Sequence, residues 1–168
     1  MLIEVKDVSK RYGEQSVLEQ VRFSVARGES FGIIGPNGSG KSTLIKLLSG
    51  IEPPSAGEVV LDGKPVGSHS RKSLSKWVSV LQQEALPAVG FTVREVVEMG
   101  RFPHQNWLGE EPSAEAAERL IDEILERLSL DALGERSLER LSGGERQRVA
   151  LGKTMAQQPL LLMLDEPT

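Results

Sequence analysis

The chain contains no cysteine, which excludes a disulfide framework and thiolate metal sites and suits a reducing cytosol. It has no apolar stretch of the roughly 18 to 20 residues that a membrane-spanning helix needs. The N-terminus reads Met1-Leu2-Ile3-Glu4-Val5-Lys6-Asp7, with no basic start and no long apolar run, so no secretory signal is expected. Internal repeats and low-complexity tracts are absent. There is no surplus of positive charge. Lys plus Arg number 20 against 24 Asp plus Glu, a net charge of −4, which lends no support to nucleic-acid binding. What is present is ordinary for a folded protein: 168 residues, 39% hydrophobic and 26% charged. That is apolar enough to bury a core, at a length of about one domain of roughly 150 residues.

Residues Leu2 to Val8 and, more clearly, Val17 to Val25 alternate apolar with polar, as half-buried strands do. Arg11-Tyr12-Gly13 reads as the turn between them. Ser30-Phe31-Gly32-Ile33-Ile34 is a short apolar run before a glycine-rich loop. It predicts a strand buried on both faces of a parallel sheet. Thr43 to Gly50 predicts a helix ended by its glycine. Gly57 to Lys64 reads as a hairpin with an Asp-Gly turn, and Val78 to Leu81 as a short strand. From residue 92 to 140 the pattern is mostly helical. Ala117, Leu120, Ile121, Ile124, Leu125 and Leu128 form one amphipathic face, with Ser113 as N-cap and Glu115 in the first turn. Leu160 to Leu164 predicts a buried strand leading into Asp165-Glu166.

Three motifs carry chemistry. Gly35-Pro36-Asn37-Gly38-Ser39-Gly40-Lys41-Ser42-Thr43 matches the phosphate-binding loop G-x-x-x-x-G-K-[ST]. Glycines let such a loop aim successive N–H groups at phosphate oxygens, and the following helix adds its positive end. Lys41 then reaches the outer phosphates and Ser42 ligates Mg²⁺. The second motif is Asp165-Glu166. An Asp at a strand end can hold Mg²⁺, and the adjacent Glu can polarise a water. Alone, such a pair is more often a solvated turn; beside a phosphate loop, the functional reading leads. The third is Leu141-Ser142-Gly143-Gly144-Glu145-Arg146-Gln147-Arg148, leading into a helix over Val149 to Gln158. It is an anion-binding nest or, taken singly, an ordinary helix cap at Ser142.

Together these resemble the ATP-binding subunit of an ABC transporter, with Walker A at Gly35 to Thr43, the signature at Leu141 to Gln147 and Walker B at Leu161 to Glu166. The resemblance covers the whole chain, with the motifs in the family's order. It implies an α/β fold: a P-loop NTPase core of the ABC type, an N-terminal antiparallel β subdomain, and a helical subdomain inserted at about 92–141. It implies ATP and Mg²⁺ as ligands. Tyr12 would stack on adenine, and Gly35, Pro36, Asn37, Gly38, Ser39, Gly40, Lys41, Ser42 and Thr43 would cradle phosphates. Ser42, Gln83 and Asp165 would organise Mg²⁺. Glu166 would be the catalytic carboxylate, with Gln83 contacting the attacking water. Ser142, Gly143, Gly144 and Glu145 would face the ATP of a second copy in a head-to-tail dimer. The partners implied are a membrane permease and an extracytoplasmic substrate-binding protein, with no nucleic acid, at the cytoplasmic face of the membrane.

The signature carries Glu145 where Gln is commoner, and Gln82 replaces a frequent proline. The family continues past Walker B to a histidine that contacts the terminal phosphate. His69 and His104 both precede the signature, so each reads as a surface or loop residue. The chain therefore reads as roughly the first two-thirds of a cassette, and the strand at Leu160 to Leu164 is expected to lack a neighbour on one side. Phe91 to His104, with its Met-Gly-Arg-x-Pro element, resembles the subgroup serving iron–siderophore, haem and vitamin B12 importers. That region would receive the permease, although Val93, Val96 and Val97 also read as helix core. The rival readings are a non-transport ABC ATPase in DNA repair or translation, a P-loop kinase or GTPase, and a fragment that binds nucleotide without efficient hydrolysis. No Asn-Lys-x-Asp motif supports a GTPase.

Overall fold

The computed structural model describes residues 1–81, 90–106, 108, 109 and 111–165. It divides into two compact units, Met1–Leu74 and Ser75–Thr168.

The first unit is built on an antiparallel sheet of β1 (Ile3–Tyr12), β2 (Gln15–Val25), β3 (Ala56–Leu61) and β4 (Lys64–Pro65), in the order β2-β1-β3-β4. β-branched residues suit a sheet: Ile3, Val5, Val8, Val59 and Val60 are buried in it, together with Leu61. Gly57 has φ 77°, and a Cβ there would stand 2.3 Å from the Asp7 carbonyl oxygen. Only glycine allows the β1 irregularity to lie that close to β3. Asp62 and Gly63, both at positive φ, make the predicted turn into β4. Helix α1 (Lys41–Leu48) buries Leu44, Leu47 and Leu48 and stops at Ser49, before Gly50 at φ 72°.

In the second unit β5 (Val78–Leu81) and β6 (Leu161–Leu164) pair in parallel, Leu81 opposite Leu164. Helices α3 (Val93–Glu98), α4 (Ala114–Arg127) and α5 (Gly143–Ala156) enclose a core of Val93, Val96, Val97, Ile121, Ile124, Leu125 and Val149. α2 (Arg71–Trp77) leads into β5. Arg101, buried in the 3₁₀ turn Met99–His104, pairs with Glu111 and donates to the Ala156 carbonyl (2.7 Å) and Gln158 Oε1 (2.8 Å). Gln157 in turn accepts from Ser79 Oγ and donates to the Ser75 and Val78 carbonyls. The C-terminal end of α5 is thereby tied to β5.

Several expectations are corrected. Residues 30–34 form no strand; Phe31 and Ile34 are 49% and 99% exposed. A strand needs a ladder partner, and no described strand pairs with this segment; Phe31 instead stacks on Phe23 with ring centroids 5.0 Å apart. β6 is likewise not buried on both faces. Met163 is buried, but Leu160, Leu162 and Leu164 are exposed, because among the described residues β6 has a neighbour on one edge only. Arg11 and Tyr12 belong to β1, and the turn is Gly13-Glu14. α5 begins at Gly143 rather than Val149, because Ser142 caps it. Ser113 holds the N-cap position of α4 without a side-chain cap bond. His69 Nε2 meets the Leu61 carbonyl and His104 Nε2 the Gln157 carbonyl, so both have local structural roles.

Candidate nucleotide site

The phosphate-loop residues lie in the first unit. After Gly35 the chain turns tightly, with the Ser39 N–H donating to the Pro36 carbonyl at 3.2 Å. Gly38 and Gly40 have φ 81° and 89°, which L side chains avoid. A Cβ on Gly40 would also stand 2.8 Å from Leu18 Cδ2 and 3.1 Å from the Val17 carbonyl. Gly40 is the N-cap of α1, so no cap side chain closes that helix start, and the first turn holds no acid. Lys41 curls back over the loop, its ammonium donating to the Gly35 (2.8 Å) and Pro36 (3.0 Å) carbonyls. Asn37, Ser42 and Thr43 share this turn and the first turn of α1. A glycine cradle, a helix start without acidic side chains and a lysine beside the loop make a donor set suited to a polyphosphate.

Tyr12, at the end of β1, is 44% exposed, and its hydroxyl donates to Glu52 Oε2 at 2.6 Å. Glu52 also takes Lys10 Nζ at 3.1 Å and Lys46 Nζ at 3.4 Å. The Tyr12 and Lys10 donors hold the Glu52 carboxyl below the usual carboxylate range, and the same carboxylate pushes the Tyr12 phenol up. Sequence reasoning missed Glu52, Lys10 and Lys46. Forty positions separate Glu52 from Tyr12, and no local pattern marks the pairing.

The remaining candidates belong to the second unit. Ser142, Gly143 and Gly144 form an exposed helix start, and a Cβ on either glycine would meet nothing within 4 Å. Ser142 and Glu145 close it reciprocally. The Glu145 N–H donates to Ser142 Oγ (3.3 Å), while Glu145 Oε2 accepts from the Ser142 N–H and hydroxyl (2.7 Å each). Those donors hold the Glu145 carboxyl below its ordinary range. Asp165 follows β6, its N–H donating to the Leu81 carbonyl at 3.1 Å. The chain thus leaves β5 and β6 from adjacent, parallel ends. Gln83 and Glu166 lie outside the described residues. Among the described residues no group of three or more His, Cys, Asp or Glu side chains converges. A magnesium ion would therefore draw ligands from nucleotide phosphates as well as from protein side chains, as Mg²⁺ commonly does.

The model of the ABC transporter family matches residues 18–168. The chain belongs to the ABC transporter family. Curated members similar to this family chain include the iron(3+)-hydroxamate import ATP-binding protein FhuC of Bacillus subtilis, 41% identical over 94% of this chain and 58% of that protein. The cobalamin import ATP-binding protein BtuD of Halobacterium salinarum is 36% identical over 100% of this chain and 41% of its own length. The petrobactin import ATP-binding protein FpuC of Bacillus anthracis is 36% identical over 99% and 61%. Among solved ABC structures, cbiO1 of Clostridium perfringens, part of the transporter complex cbiONQ, superposes with a TM-score of 0.84 at 30% identity, covering 99% of this chain and 66% of that one. The fold is thus the mixed α/β P-loop fold of ABC ATPase domains, and the chain spans between about two-fifths and two-thirds of these relatives' length.

Proposed function

We propose that this chain is the nucleotide-binding part of an importer ATPase, taking ATP with Mg²⁺ at the loop Gly35 to Thr43. The observation that carries this reading is the uncapped start of α1 with Lys41 bent over the loop carbonyls. A helix start of that form favours an anion, and the lysine adds a charge. Bound Mg²⁺ would neutralise phosphate charge as the terminal phosphate is transferred to water. Ser42, Asp165 and Gln83 would hold it, and Glu166 would orient the water and accept its proton. Tyr12 would stack on the base.

In the longer protein this chemistry would power import of an iron chelate, haem or cobalamin through a permease. The names of FhuC, BtuD and FpuC support that choice, as does the Met99 to Pro103 element. The domain would work as a head-to-tail pair, Ser142 to Glu145 of one copy facing ATP on the other, with the segment 92–141 as its helical subdomain. No helix among the described residues is long and apolar enough to cross a membrane, which accords with peripheral attachment at the cytoplasmic face. Hydrolysis by the full-length protein tests this reading. Glu166→Gln should retain ATP binding while turnover nearly vanishes; unchanged steady-state hydrolysis would overturn the role of Glu166.

A further inference from the structure

The ring assigned to the base is held by a polar network. Tyr12 donates its hydroxyl to Glu52 at 2.6 Å, and the Thr43 hydroxyl, at the end of the phosphate loop, also interacts with the phenol. Glu52 is itself held from two elements. Lys10 reaches it from β1 at 3.1 Å and Lys46 from α1 at 3.4 Å. Lys10 is buried and also donates to the Pro53 carbonyl at 2.8 Å. The segment carrying Glu52 is fixed along β1 by the Ser55 N–H on the Ser9 carbonyl and by the Arg11 N–H on Ser55 Oγ. The Lys10 ammonium lies 5.1 Å from the Tyr12 ring centroid, covering one face of an otherwise exposed ring. A planar base is left the opposite face.

We infer that Glu52, backed by Lys10 and Lys46, is a positioning residue that presents the free face of Tyr12 to the nucleotide base. The inference rests on the nucleotide-binding reading above. A ring already fixed loses less freedom when the base stacks on it, so the network raises affinity for the base and not for the phosphates.

The test is calorimetric titration of the full chain with Mg-ATP and, separately, with inorganic tripolyphosphate, which has no base. Glu52→Ala should weaken ATP about three- to tenfold, the range expected for one hydrogen bond, and leave tripolyphosphate unchanged. Glu52→Gln still accepts from Tyr12 and should recover most of the loss. In a Tyr12→Phe background, which keeps the ring and removes the hydroxyl, Glu52→Ala should add little. Equal weakening of both ligands by Glu52→Ala would show a structural effect through α1 and overturn the proposal. So would no weakening of either. If Tyr12→Ala weakens ATP alone while Glu52→Ala is silent, the positioning role fails and base stacking stands. If Tyr12→Ala leaves ATP binding intact, base stacking fails and the role of Glu52 with it. A wild-type chain that binds neither ligand overturns the nucleotide reading as a whole.

Discussion

Two glycine-rich helix starts occur among the described residues, and they are built in opposite ways. α1 follows Gly40, in left-handed backbone, with no side chain to cap it and no acid in its first turn. α5 follows Ser142 and is closed by its own Glu145 in a reciprocal capping box. The first is arranged to receive an anion from outside. The second holds an internal carboxylate, Glu145, on the N–H and hydroxyl of its cap residue Ser142. A third start, α3, carries the same box with Thr92 and Glu95. A capping box is therefore no mark of a ligand site by itself; it is the ordinary way to satisfy a helix start.

The sharpest break in the comparison is Lys41→Ala. It should weaken ATP binding by about ten- to a hundredfold, as loss of a charged phosphate contact does. Ser142→Ala should leave ATP binding to a single chain unchanged. Calorimetry of both variants checks the contrast, and equal losses would erase it. Next comes the same substitution at each start. Gly40→Ala should destabilise by about 2 kcal/mol, from left-handed backbone and crowding against Leu18. Gly143→Ala, with nothing near its added methyl, should be neutral or stabilising by at most about 1 kcal/mol. Urea unfolding measures both.

Smaller still, Ser142→Ala and Thr92→Ala should each cost about 1 kcal/mol as lost caps. Unequal losses would mean the two boxes differ in strength despite their shared geometry. Last is the pH dependence at Ser142. Glu145 is held below the ordinary carboxylate range. Its contribution is fully present above the unfolded carboxyl pKa and is lost as pH falls through the depressed folded value. The deficit of Ser142→Ala should therefore narrow as pH drops below about 4. Glu145→Gln, which can still form the box, should flatten the same profile; a profile as steep as wild type would place the titrating group elsewhere.

Local signals in the sequence match the structure where nearby residues supply the partner. Asp62-Gly63 turns, Gly50 follows α1, and Val93, Val96 and Val97 are fully buried as the helical pattern requires. The misses share one cause. Residues 30–34 are apolar enough for a buried strand and form none, while Leu160 to Leu164 form the expected strand with the expected open side but leave Leu160, Leu162 and Leu164 exposed; apolarity says nothing about what stands alongside. Arg101 in the Met-Gly-Arg-x-Pro element gave no hint that it would clamp Ala156 and Gln158 from within the helical unit.

By itself the sequence determined the chemistry available at each short motif, because a phosphate loop or a capping box needs only residues a few positions apart. Tertiary structure alone decided that Glu52, Lys10 and Lys46 gather at Tyr12 and that β5 is the strand beside β6. Both depend on distant segments meeting, and no local spacing encodes that meeting.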